Sequence, residues 1–265
     1  MKKINIIILL FSLICFKNVL ANNHLFSYQS VYDITLGESK INPQLGKTYV
    51  TNASGELFVD WLNNCTSWVS NQRMVTRFIN SFGVGTLSEI NYSLVESISG
   101  NNFKFSLEVK ENAELVERTF GEAKKDDNEV KVNFELPQKD PITLPNDVIF
   151  PHQFLVDVLN DMVNGEQMLV KKVYEGTIPD KFFDISVFFT KETFKEENKA
   201  LPGSVDKKFF KIRLAYYQDK TPTPMLEITQ HVNKEGIASY YKFDYPEYSL
   251  EMNLKKLSLV EIPCD

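Results

Sequence analysis

The chain has 265 residues, of which 43% are hydrophobic and 24% charged, with 11 Pro and 11 Gly, enough apolar material to bury a sizeable core. That composition excludes collagen, a coiled coil, a cysteine-dense miniprotein and wholesale disorder. The formal net charge of -6 gives the chain a field that repels nucleic acid and anionic surfaces.

At the start, Lys2 and Lys3 precede an apolar run from Ile6 to Phe16, and Val19-Leu20-Ala21 suits cleavage before Asn22. This reads as a secretory signal over residues 1–21. The alternative, an uncleaved membrane anchor, is disfavoured because the run falls short of the roughly 20 residues that span a bilayer. Cys15 follows Leu13-Ile14 and not a small residue, so it does not read as a lipid-anchoring cysteine. Removing the leader takes away three lysines and no acid, leaving 26 basic against 35 acidic residues and a net charge of -9. Lys207-Lys208 and Lys255-Lys256 then read as solvated strand or loop edges. No nucleic-acid partner and no further membrane span are expected.

Residues 22–265 read as one domain dominated by strands. Val31 to Leu36, Glu56 to Leu62 and Met74 to Ile79 come first, followed by strict alternation in Phe103, Phe105, Leu107, Val109 and in Val130, Val132, Phe134, Leu136. A period of two marks half-buried strands. The Pro137 to Pro151 stretch, with Pro141 and Pro145, reads as a covering loop or linker. Next comes a change of period: Phe154, Leu155, Val158, Leu159 and Met162 share one helical face, with Pro151 near the start and Gly165 past the end. Strands resume at Phe182 to Thr190, Phe210 to Tyr216, Met225 to Gln230, Ile237 to Phe243 and Tyr248 to Leu254. Asn233-Lys234-Glu235-Gly236 reads as a hairpin turn with Gly236 at positive φ. The expected fold is mainly β: a large antiparallel sheet, coiled into a spiral or barrel, with one amphipathic covering helix.

Leader removal leaves Cys65 and Cys264 in a compartment that permits disulfides. One structural bridge is the natural expectation, with two free thiols as the alternative and no close C-x-x-C pair to suggest redox chemistry. Catalytic signals are sparse. His24, His152 and His231 show no metal-ligand spacing, so no metal or cofactor is expected. His152 is the most notable of the three because it opens the helix, where packing is the ordinary role. There is no G-x-S-x-G. Asp157 and Asp161, four residues apart on the helix, fit a polar surface as well as a carboxylate pair. Gly83-Val84-Gly85 lacks the lysine of a phosphate loop. The three matches to a glycosylation sequon, at Asn52, Asn64 and Asn91, read as chance. The 20 Phe, 11 Tyr and 2 Trp can fill a core or line an apolar concavity. Tyr216-Tyr217 and Tyr240-Tyr241 place one ring on each face of their strands.

Taken in order, Ser30-Val31-Tyr32-Asp33-Ile34-Thr35-Leu36, Gly55, Cys65, Arg77-Phe78, Phe150-Pro151 before Gly165, Glu175-Gly176, Glu235-Gly236 followed by Phe243-Asp244-Tyr245, and Cys264 resemble the EipB-like family of bacterial cell-envelope integrity proteins. The resemblance covers nearly the whole chain after the leader. It implies a periplasmic protein with a spiral or barrel-like sheet, a disulfide carried here by Cys65 and Cys264, and a role in keeping the envelope intact. No enzyme reaction follows from it. The sequence departs from the family pattern in its acidic surface and in placing His152 directly after Pro151, which discourages giving that histidine a family role. The expected function is therefore non-enzymatic: binding or scaffolding an envelope component, whether a periplasmic protein, peptidoglycan or lipid. A carrier of lipid or lipoprotein is the second expectation, since a coiled sheet with a covering helix can enclose an apolar cavity. An envelope hydrolase is third, with no acid to nominate.

Overall fold

The computed structural model describes residues 25–40, 47–219 and 221–264. The leader, Cys15 and His24 lie outside them. Along the chain run β1 (Tyr28–Ser39), β2 (Val50–Asn63), β3 (Ser67–Asn80), β4 (Gly85–Ser97), β5 (Asn102–Glu111), β6 (Glu114–Lys125), β7 (Glu129–Leu136), β8 (Ile142–Pro145) and β9 (Val148–Ile149). Then come the helix α1 (Pro151–Asn164), β10 (Met168–Val173), β11 (Phe183–Lys195), β12 (Lys208–Tyr217), β13 (Leu226–Asn233), β14 (Ala238–Asp244) and β15 (Tyr248–Leu259). Every strand expected from the sequence falls on one of these, those expected from Phe182, Met225 and Ile237 starting one residue later, and the helix spans the expected segment.

All fifteen strands belong to one sheet, ordered β8-β7-β6-β5-β4-β3-β2-β1-β15-β14-β13-β12-β11-β10-β9. The wiring is an antiparallel meander with one exception, the parallel β9–β10 pair. That pair needs a crossover, which α1 provides. β1 sits mid-sheet between β2 and β15, joining the two halves of the chain. The two ends of the strand order, β8 and β9, are separated in sequence only by Asn146 and Asp147. The sheet therefore curls round until its ends meet, giving a nearly closed barrel and protecting both edges. Lys125 of β6 crosses the seam, its Nζ donating to the Val148 carbonyl of β9 at 2.9 Å, and the link between β8 and β9 is tied to each side, Asn146 Nδ2 donating to the Asp127 carbonyl at 3.0 Å and Asp147 pairing with Lys172 at 2.6 Å.

The stretch 137–151, expected as a covering loop or linker, instead supplies β8, β9 and the first residue of α1. Its prolines have a physical place there. Proline cannot donate to a ladder, and Pro145 closes β8 at the end of the sheet, where the missing N–H costs nothing.

Alternation divides the residues between two faces. On the concave side, α1 lays Phe154, Val158, Leu159 and Met162 against Val173, Phe183, Ile185, Ile212 and Leu214 of β10–β12. Two further clusters complete the core. One gathers Tyr32, Ile34, Leu57, Trp61 and Phe209 with residues of β15, and the other stacks Phe103 on Phe105 and Phe150 beside Tyr174. The helix ends at Gly165 with φ 79 and ψ 23, where the Gly165 N–H donates to the Met162 carbonyl at 3.3 Å and the Glu166 N–H to the Asp161 carbonyl at 3.0 Å. The β13–β14 turn has Gly236 at φ 81, as expected. Lys255 reaches Asp33 at 2.8 Å and Glu56 at 2.7 Å across β1 and β2, a solvated outer-face network consistent with its reading as a strand edge.

Candidate functional site

The concave wall does not close completely on the helix. Between them lies a cavity of about 400 Å³, within the roughly 300–1,000 Å³ of ligand sites. Its walls follow the period-two pattern: Leu57, Val59 and Trp61 on β2, Ile90, Tyr92 and Leu94 on β4, Leu214 and Tyr216 on β12, Tyr241 and Phe243 on β14, with Phe154, Leu155 and Val158 of α1 on the remaining side. Each strand lends every second residue. Polar groups are few, namely Gln72, Tyr92, Glu175, Thr177, Tyr216 and Gln230, besides Tyr hydroxyls elsewhere on the wall.

Glu175 follows β10, and its placement is tightly held. The Tyr92 hydroxyl donates to the Glu175 carbonyl at 2.6 Å, and the Tyr216 phenol lies beside the Glu175 carboxyl. Gly176 takes φ 72 with the Phe105 ring pressed against it, so an added Cβ would stand 2.3 Å from that ring. Gly176→Ala is expected to lower stability by about 2–3 kcal/mol, from a left-handed backbone and a displaced ring. A urea melt reads the loss as a lower midpoint, and an unchanged midpoint would show that the loop yields freely. Burial raises the Glu175 carboxyl to about 7 against the neighbouring Tyr216 phenol, which pulls it down. Tyr92 and Tyr216 are pushed well above the ordinary phenol value by burial, so both stay neutral donors.

A second buried carboxylate supports the helix. The N-cap residue Phe150 has no polar side chain, and the first turn holds no acid. Glu96 of β4 fills the gap: its Oε2 accepts from the His152 N–H at 2.6 Å and its Oε1 from the Gln153 N–H at 3.0 Å. Two orphan donors are satisfied from 56 and 57 residues away, and the carboxylate sits at the positive end of the helix dipole. Burial raises Glu96 to about 7, opposed by the same two N–H groups.

The histidines do not converge on chemistry. His152 is buried, stacked 4.8 Å from the Trp68 ring and 6.0 Å from Trp61. Its Nδ1 finds no hydrogen-bond partner among the described residues. Burial lowers it to about 4, so it is a neutral packing ring at the helix start. His231 packs on Phe194 and Tyr240. Asp157 pairs with Lys171 at 2.6 Å and accepts from Gln153 Nε2 at 2.8 Å, and neither it nor Asp161 lines the cavity. Gly83-Val84-Gly85 belongs to the β3–β4 turn, where Asn80 Oδ1 accepts from the Phe82 and Val84 N–H groups. Among the described residues no group of three or more His, Cys, Asp or Glu could hold a metal ion.

Cys65 and Cys264 form the expected disulfide, with Cα atoms 5.6 Å apart. Cys65 occupies the β2–β3 turn at φ 75, its N–H donating to Asn63 Oδ1 at 2.7 Å. The bridge ties the tail beyond β15 to that turn, across the start of β1.

Comparison with known proteins bears on these features together. The sequence profile described as EipB-like matches residues 20–261. The chain belongs to the EipB-like family. A relative, the cell envelope integrity protein EipB of Brucella abortus (strain 2308), is 22% identical over 249 residues, which cover 89% of this chain and 85% of that protein. A crystal structure of a beta-barrel-like protein of a domain of unknown function from Brucella abortus matches with a TM-score of 0.82 at 20% identity. The match covers 90% of this chain and 99% of that one, so the near-closed barrel is a shared fold. Within this EipB-like chain, the residues that sequence reasoning missed are Glu96 and the role of Glu175. The first sits on the inward phase of β4, where a glutamate at an apolar position was the available signal.

Proposed function

We propose that this EipB-like protein is exported to the periplasm, where it serves envelope integrity without catalysing a reaction, by holding an apolar envelope molecule between its curled sheet and α1. The observation that carries the proposal is the cavity, apolar over most of its wall and furnished with a few convergent polar groups. A methylene takes about the volume of a water, roughly 30 Å³, so the cavity suits an acyl chain of on the order of a dozen carbons. The named role of the Brucella relative in envelope integrity and the leader-like residues 1–21 support the compartment. Binding of a lipid or the lipid portion of a lipoprotein is favoured over scaffolding because the concavity is walled mostly by inward-facing apolar side chains of the sheet and of α1. Gentle purification followed by native mass spectrometry is expected to show a mass above that of the polypeptide, and organic extraction to release acyl species. A bare polypeptide mass from protein purified out of its own host envelope would defeat this reading.

A further inference from the structure

The cavity wall carries a chemical bias that its apolar character alone does not. Among the described residues that line it, Glu175 is the one acid, and none is Lys, Arg or His. The backbone that presents the carboxyl is pinned by Tyr92 and by the Phe105 ring on Gly176, and the Tyr216 phenol lies beside it. An anionic head entering here would meet a carboxylate and find no counter-ion. A head with N–H or O–H donors would meet an acceptor already in position. Charge-assisted hydrogen bonds in a site shielded from water are the stronger kind.

Resting on the reading of the cavity as a lipid site, we infer that Glu175 selects the ligand: an amphiphile whose head donates hydrogen bonds, with a primary amine preferred, and a carboxylate or phosphate head rejected. The acceptor is built into the wall, so the preference does not depend on an induced movement. Tyr216 of β12 and Tyr92 of β4 face Glu175, with Tyr174 on its own segment and Glu96 farther along β4. Burial pushes all three phenols up, so they remain neutral from pH 5 to 9. Glu175 itself loses its proton on rising through about 7, and the preference for an amine strengthens over that interval.

Delipidated full-length protein, titrated with dodecylamine, dodecanol and dodecanoate below their micellar concentrations, tests the inference through the fluorescence of Trp61, which lines the cavity. At pH 8 dodecylamine is expected to bind about tenfold or more tighter than dodecanoate, the scale of one hydrogen bond to a charged group. Dodecanol should fall between them. Lowering the pH to 5.5 should shrink the amine advantage, and Glu175→Gln should abolish both the advantage and its pH dependence. Tyr216→Phe keeps the ring and removes the hydroxyl that pulls Glu175 down, so the pH midpoint should move upward. This second variant keeps the test sharp if Glu175→Gln folds poorly. Equal binding of the three probes, or tighter binding of dodecanoate, would overturn the selection by Glu175 while leaving the lipid cavity standing. Binding of none of them would overturn both.

Discussion

Serine in place of either Cys65 or Cys264 is expected to lower stability by about 3–5 kcal/mol, and the double substitution by no more than either single one. The bridge closes 199 residues of sequence separation, for which chain entropy gives about 5 kcal/mol as an upper figure. It also acts where the fold is joined. β1 pairs with β15 on one side and β2 on the other, and the disulfide links the residues just beyond those two neighbours. Without it, the tail is held by little beyond strand pairing, including the bond from the Val260 N–H to the Ser27 carbonyl at 2.8 Å. A loss of about 10 °C in melting temperature follows for a protein of this size, with lower steady-state abundance in the cell. Melts of oxidised and reduced wild-type protein alongside the three variants decide it. Identical oxidised and reduced midpoints would remove the stabilising role, and additive losses would show that the thiols act separately.

Much of the barrel could be read from the chain because its inward residues are large and apolar at every second position. Tyr32 and Ile34 on β1, Phe103 and Phe105 on β5, and Val130 and Val132 on β7 are all buried, and each alternates visibly with polar neighbours. The strands that went unread break this pattern for local reasons. β6 turns Thr119, Gly121 and Ala123 inward, because the Phe105 ring already fills the space over Gly121. Small inward residues leave no hydrophobic signal. β10 is inverted, with Met168 and Val170 exposed on the outer face. β4 places Glu96 on its inner phase and Val95 outside, blurring a run that otherwise alternates through Ile90, Tyr92 and Leu94. The seam could not be read either, since β8 and β9 are held by closure of the sheet and not by their own short, proline-flanked sequences. The same limit applies to the site. Tyr216 and Tyr241 show one ring per face in the sequence, but only the curl of the sheet brings Tyr216 of β12, Tyr92 of β4 and Glu175 together.

Stability is expected to fall as the pH rises from 5 to 8, by about 3 kcal/mol, an unusual direction set mainly by three buried groups, with half-buried His231, also lowered by burial, opposing the fall. Glu96 and Glu175 are each raised from 4.5 to about 7. A group raised on folding gives its full stabilisation below its unfolded value and loses it as pH climbs through the folded one, at about 1.4 kcal/mol per unit. His152 is lowered from 6.5 to about 4 by burial between the tryptophans, so it works the other way and costs stability as pH drops below 6.5. Between pH 4.5 and 6.5 two groups oppose one, and the net slope is one group's worth. From 6.5 to 7 the histidine no longer contributes and the slope doubles, and above 7 it flattens. Urea melts at half-unit intervals test this, with two variants that move the profile in opposite senses. Glu96→Gln should leave Glu175 and His152 to cancel, giving a level profile from 4.5 to 6.5 at a cost of about 1–3 kcal/mol for the weakened helix cap. His152→Phe, which keeps a ring against Trp68, should steepen the decline across the same interval. A wild-type profile that is level from pH 4.5 to 6.5 would mean that Glu96 is held as the carboxylate by the helix N-terminus, and one that rises from pH 5 to 8 would mean that Glu175 is ionised as well. The cap would then be an ionised one throughout, and the barrel's tolerance of acid would rest on other groups.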